Sequence, residues 1–212
     1  MHNLLVFPAG LSRKSIFVTR GMVCMERRTK IYRIAAIGVF AALTFAGNKI
    51  EVPIPVAIGD ISRIHFGNIF CLLSGFVLGP IGGGLAAGIG AALYDLTSPA
   101  FIASAPLTFL FKFTLAAVCG WAANVHGARA ENHVQNVFAA AAGSLTYMIL
   151  YLGKAFVQGL LLGSEMGAVL TALATKAVTS GINAVIAVVV SVPLCAVVRL
   201  ALRRSHMLEK MG

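Results

Sequence analysis

Charge is scarce in this sequence. Only 11% of the 212 residues are Asp, Glu, Lys or Arg, and just seven are acidic; soluble domains carry about 25%. So little charge cannot cover a water-exposed surface around a chain that is 58% hydrophobic, which argues against an ordinary soluble domain. Cysteine is also sparse. Cys24, Cys71, Cys119 and Cys195 show no metal-ligand spacing, and the last three lie in apolar runs, where a small buried hydrophobe is the usual role. Nucleotide and hydrolase motifs are missing as well: no GxxxxGK[ST], no HExxH and no GxSxG occurs. The chain therefore offers no P-loop and no catalytic residue to nominate, and no metal or other cofactor is expected.

Long apolar runs are abundant. A spanning helix needs about 20 mostly apolar residues, and six stretches meet or approach this: Ile31–Asn48, Ile64–Pro80, Ile81–Leu96, Ala105–Val125, Val137–Leu162 and Ala172–Val198. The expected fold is an all-α integral membrane protein, a bundle of six transmembrane helices with both termini cytoplasmic. Residues 1–30 are expected to form a basic N-terminal extension, 31–199 the membrane substrate-binding domain and 200–212 a basic cytoplasmic tail. Residues 1–24 read as a flexible extension, with Met25 as an alternative start.

The net charge of +10 does not signal nucleic acid. Its basic residues cluster next to spans and lack the aromatic interleaving of a nucleic-acid surface. Arg13, Lys14, Arg20, Arg27, Arg28, Lys30 and Arg33 lie before or at the start of the first span, and Arg199, Arg203, Arg204 and Lys210 follow the last. With a cytoplasmic N-terminus, twelve Lys/Arg fall inside and two, Lys49 and Arg63, outside. That bias is the positive-inside signature.

Polar residues within the spans point to function, because the bilayer makes them costly. Thr108 and Lys112 are four apart. Tyr147, Tyr151, Lys154 and Gln158 follow at i, i+4, i+7 and i+11, and Lys176, Thr179, Ser180 and Asn183 share another face. Asn48, His65, Asn68, Tyr94 and Asp95 sit at outer helix ends. The expected substrate site is an outward-open cup built from Asn48, His65, Asn68, Asp95, Thr108, Lys112, Tyr147, Tyr151, Lys154, Lys176 and Asn183. Lys112, Lys154 and Lys176 have an alternative role, snorkelling to the outer headgroups. Three lysines against one intramembrane Asp suggest a ligand with an anionic group, and the tyrosines suit a ring. The loop Lys49–Arg63, stiffened by Pro53 and Pro55, is long enough to act as a lid. Small residues form a smooth face at Gly38xxxAla42, suited to close helix approach either within the bundle or to another subunit.

The stretch Arg63-Ile-His-Phe-Gly-Asn-Ile-Phe70, then Leu72-Leu-Ser-Gly-Phe-Val-Leu-Gly-Pro80, then the Gly/Ala-rich run ending at Tyr94-Asp95, is followed by Ala105-Pro-Leu-Thr-Phe109 and Lys112. Taken in this order, the set resembles the substrate-binding S components of energy-coupling factor (ECF) vitamin transporters, over about Arg33–Val198. The resemblance implies an ABC-type importer subunit in a prokaryotic plasma membrane, binding a vitamin-like small molecule outside. It further implies an ECF transmembrane subunit and two ABC ATPases as partners, with Gly38 and Ala42 at the docking position on the first helix. Pantothenate, folate, riboflavin and pyrimidine-type precursors all remain open as ligands. A stand-alone secondary carrier and a membrane enzyme are the competing readings. The first usually shows inverted repeats and midplane sites, and neither feature is seen in this sequence.

Overall fold

The computed structural model describes residues 13–56, 60–99, 101–125 and 130–205, with the side chains of 13–28 and of Asp60 left aside. The described residues are 85% helical. In order it forms α1 (Arg13–Lys49), a hairpin of β1 (Glu51–Val56) and β2 (Asp60–His65), α2 (Gly67–Leu96), a 3-10 turn (Ile102–Ser104), α3 (Ala105–Asn124), α4 (His133–Leu161) and α5 (Met166–Arg204). Among the described residues, five helices are long and apolar enough to cross a membrane. Their outer faces carry side chains such as Ile149, Val178, Val185 and Val189, each more than half exposed. Such surfaces suit lipid rather than water.

The expectation of six separate helices needs correction. The second and third expected spans, Ile64–Pro80 and Ile81–Leu96, run together into α2 with no loop between them, and Ile64 belongs to β2. α2 is nevertheless not a straight rod. Gly79 has φ 74° and ψ −172° and is followed by Pro80. That backbone region is open essentially to glycine alone. Proline then removes a helical donor and clashes with the preceding turn. The chain folds back at this point. Ser74 Oγ donates to the Gly83 carbonyl at 3.0 Å, although residues nine apart in a straight helix are separated by about 13.5 Å. Arg63, just before α2, likewise reaches Asp95 near its end at 2.7 Å. The two halves of α2 therefore form a tight antiparallel pair with both ends on one side.

Small residues permit this closeness. A Cβ on Gly83 would lie 2.6 Å from Gly75 Cα, and one on Gly120 of α3 would lie 2.7 Å from the Gly75 carbonyl. Three backbones meet there because none carries a side chain, the usual solution for helix association in lipid. Around this point the core is closed by Cys71, Leu72, Phe76, Leu115, Ala116, Cys119, Ala140, Ala187 and Cys195. Cys71, Cys119 and Cys195 are free and buried, in keeping with their reading as small hydrophobes.

Of the expected N-terminal extension, residues 1–12 lie outside the described residues, and 13–24 belong to α1, which continues without a break past residue 30. On α1, Ala41 faces inward against Gly90, whose Cβ position would lie 2.3 Å from the Ala41 carbonyl. Gly38 and Ala42 are exposed, and a Cβ on Gly38 would meet nothing within 4 Å.

The expected lid is a two-stranded antiparallel ribbon, with Glu51 opposite His65 and Val56 opposite Asp60. Pro53 and Pro55 lie in β1, which among the described residues has no partner strand on its other side. Proline is tolerated at such an edge because no ladder donor is needed there. At the opposite end of the bundle, Arg203 near the end of α5 pairs with Glu131 just before α4. The Asn132 carboxamide oxygen caps α4 by accepting from Val134 N at 3.0 Å.

Candidate functional site

A cavity of about 680 Å³ lies between β2, the end of α2, the 3-10 turn, α3, α4 and α5. That volume is in the range of pockets that bury a small organic molecule. Helical periodicity supplies three of its walls. Thr108 and Lys112 project from α3. Tyr147, Tyr151, Lys154 and Gln158 project from α4, and Lys176, Ser180 and Asn183 from α5. Residues three and four apart share one helix face.

Lys112 is the deepest cation, 2% exposed. Its ammonium donates to the Asn68 carboxamide oxygen and lies 4.2 Å from the Tyr147 ring centroid. Tyr147 stacks on Tyr151 at 5.9 Å with planes 9° apart. Lys176 stands 5.3 Å from the Tyr151 centroid. The result is a pair of parallel rings, each with an ammonium over it, a favourable cation–π arrangement.

The hairpin forms the remaining wall. The Asn183 carboxamide binds β2 in both directions: its oxygen accepts from His65 N at 3.0 Å and its nitrogen donates to the Arg63 carbonyl at 2.8 Å. The hydroxyls of Ser62 and Thr179 share a 2.7 Å hydrogen bond. Arg63 bonds Asp95 Oδ1 at 2.7 Å, reaches Glu51 at 3.4 Å, and lies 4.0 Å from the Phe101 centroid and 4.7 Å from that of Tyr94. Asp95 is 1% exposed, and its Oδ2 has no hydrogen-bond partner among the described residues. His65 accepts at Nδ1 from Gly67 N at 3.2 Å, which requires an unprotonated Nδ1. Burial, then the charges of Lys112 and Arg63, push its pKa well below the ordinary histidine value. The imidazole is thus neutral and offers Nε2–H as a donor.

The cavity therefore gathers nine of the eleven nominated residues: His65, Asp95, Thr108, Lys112, Tyr147, Tyr151, Lys154, Lys176 and Asn183. Two lie outside its lining. Asn68 stands behind Lys112 as its acceptor. Asn48 faces the start of α2 and not the cavity, donating to the Thr44 carbonyl at 3.0 Å, with its Oδ1 2.2 Å from where a Gly67 Cβ would be. Sequence reasoning missed Arg63, Ser62, Phe101 and Phe111, which also line the cavity. Arg63 had a signal: a carboxylate such as Asp95 in an apolar run calls for a nearby cation. Among the described residues, no group of three or more His, Cys, Asp or Glu is placed to hold a metal ion.

Five apolar helices among the described residues, four of which line a solute-sized cavity, define a multi-pass membrane protein with a small-molecule pocket between its helices. The chain belongs to the family described as the ECF-type riboflavin transporter, S component, whose model matches residues 28–200. That family is one of transporter components rather than enzymes. The chain is also similar to a protein of Pyrococcus woesei described as "Uncharacterized protein in gap 3'region", with 27% identity over 116 residues, covering 55% of this chain and 72% of that protein.

Proposed function

We propose that this chain is the substrate-capture subunit of an ECF-type importer, binding a water-soluble vitamin of about riboflavin's size in the cavity behind the β1–β2 hairpin. The observation that carries this reading is the cavity itself: polar faces of α3, α4 and α5 converge on one space of about 680 Å³, walled by β2. Membership of the riboflavin transporter S component family supports the substrate class. The hairpin acts as the lid, held to α5 by Asn183 and Thr179. Release on the inner side falls to an ECF transmembrane subunit and two ABC ATPases, since this sequence has no nucleotide motif.

In this proposal the hairpin side of the bundle faces outward and both termini are cytoplasmic, in a prokaryotic plasma membrane. The fold-back of α2 returns the chain to its starting side, so α1, α3, α4 and α5 alternate in direction. The Lys/Arg bias sets the absolute orientation. Docking of the partner falls to the open α1 face at Gly38 and Ala42, while Ala41 serves internal packing.

Purification of the tagged chain from its native membrane tests the reading. A ring-bearing vitamin should accompany it at close to one molecule per chain by mass spectrometry, together with ATPase subunits. A chain that carries no small molecule and no ATPase would contradict it.

A further inference from the structure

Among the described residues, Asp95 is the one acid that lines the cavity. It stands near the end of α2, 1% exposed, and its Oδ1 accepts from Arg63 at 2.7 Å. Its Oδ2 is buried and has no hydrogen-bond partner among the described residues. Leaving a buried acceptor unpaired costs more than a typical hydrogen bond contributes. Such an atom on a cavity wall marks the place of a ligand donor. Arg63 fixes which kind of donor fits. Its guanidinium is held by Glu51 at 3.4 Å on its other side, and it lies 4.0 Å from the Phe101 centroid and 4.7 Å from that of Tyr94. Two acids and two rings thus hold a planar group in one orientation. Arg63 also lines the cavity, and a guanidinium has five N–H donors in a fixed fork. The corner therefore presents an acceptor, Oδ2, beside a donor group. Its complement is a planar ring edge in which an N–H adjoins a carbonyl, as in a lactam or imide. A hydroxyl has one oxygen for both roles, whereas the ring edge meets the two groups with separate atoms held in one plane.

We propose that Asp95 is a specificity-determining residue that reads the imide edge of the ligand's ring: Oδ2 accepts the ring N–H, and the Arg63 guanidinium donates to the adjoining carbonyl. The inference rests on the cavity being the ligand site and deepens the flavin reading, since the isoalloxazine ring of riboflavin carries such an N–H, at N3, between two carbonyls. It directs that edge to the hairpin corner, where ligand and hairpin share one carboxylate.

Flavins altered at one group each test it. The purified full chain in phosphatidylcholine nanodiscs is titrated calorimetrically with riboflavin, with 3-methylriboflavin, whose ring N–H is blocked, and with lumiflavin, which keeps the N–H but lacks the hydroxyl chain. Wild type should bind riboflavin about tenfold or more tightly than 3-methylriboflavin, because a site built to pair with an N–H rejects the analogue lacking it. In Asp95→Asn, Arg63 holds the oxygen and the NH2 takes the place of Oδ2, donor against donor. That variant should lose about tenfold or more in affinity for both riboflavin and lumiflavin. It should bind 3-methylriboflavin within about threefold of wild type, which also shows that it is folded. Equal loss for all three ligands would make Asp95 a positioning residue for the hairpin and overturn the inference. A loss confined to riboflavin would overturn it too, by assigning the donor to a chain hydroxyl. So would equal affinity of wild type for riboflavin and its 3-methyl form. If wild type binds no flavin, the flavin class fails together with the inference; flavin binding without these discriminations overturns the inference alone.

Discussion

Lys112 draws its position from two neighbours. Asn68 accepts from its ammonium and Tyr147 lies beneath it, so the cation is fixed before any ligand arrives. Removing a buried group that contacts ligand costs about 1–3 kcal/mol, because its partner is left unpaired. Lys112→Ala and Lys154→Ala should therefore weaken ligand binding by about five- to a hundredfold. Arg204→Ala, exposed at the far end of α5, should leave it within about twofold by titration calorimetry. Arg199 is a poorer control, since it is buried and donates to the Phe76 carbonyl at 3.2 Å. His65 gives a pH dependence with a definite sign. Its folded pKa lies well below 6.5, so an unfolded chain takes up the proton first as pH falls. The stabilisation is fully present above pH 6.5 and is lost below it, toward the folded pKa. Thermal stability in detergent should decline through that window, and His65→Gln should flatten the decline; an unchanged slope would mean that His65 is not neutral in the fold. At this scale, the sequence revealed which faces were polar but not every rotation. Asn48 lies at the correct depth, yet its helix turns it toward Gly67. Arg63 was read as a loop cation because only the tertiary fold brings it to Asp95.

The element that most shapes the bundle is the reversal inside α2. An Ala at position 79 would have to occupy a backbone region costing about 1–3 kcal/mol, whereas Gly→Ala in an ordinary helix interior is stabilising. Gly79→Ala should thus lower the thermal midpoint clearly. Gly181→Ala, where a Cβ meets nothing within 4 Å, should hold or raise it. Equal effects would argue against a strained turn. The reversal at Gly79-Pro80 falls at the boundary expected between the second and third spans. What the sequence could not convey was that no loop residues separate the two halves, because helix continuity is decided by hydrogen bonding around a single glycine. The hairpin was legible as a lid-length segment but not as strands. Its six-residue strands are short, and two prolines in β1 weaken any strand reading. Asn183 is the clasp between hairpin and bundle. Asn183→Ala removes two hydrogen bonds to β2, so ligand dissociation should speed up by stopped-flow measurement, with association less affected. Slower dissociation would contradict a lid held by α5.

For the whole molecule, composition alone sufficed to place the chain in a membrane, and the periodic polar faces sufficed to outline the cavity. Six separate helices were expected where five are found among the described residues, because the second and third expected spans join through Gly79 with no loop between them, and hydropathy registers apolar length but not how two apolar stretches are joined. The smooth face on α1 illustrates a limit of another kind: Gly38, Ala41 and Ala42 look alike in sequence, and only packing separates the inward Ala41 from the open pair. A Leu at position 38 would fill that open face without touching the cavity. Gly38→Leu should abolish assembly with the ATPase-bearing partner in pull-downs and leave ligand affinity intact; lost affinity with intact assembly would make the face internal. The central claim is that the cavity behind the hairpin holds the ligand. Its most direct test is a calorimetric titration of wild type, Lys112→Ala and Arg204→Ala with the small molecule recovered from the purified chain. The account predicts one site per chain, severely weakened by Lys112→Ala and unchanged by Arg204→Ala. Equal affinity in all three proteins would place the ligand elsewhere and contradict it.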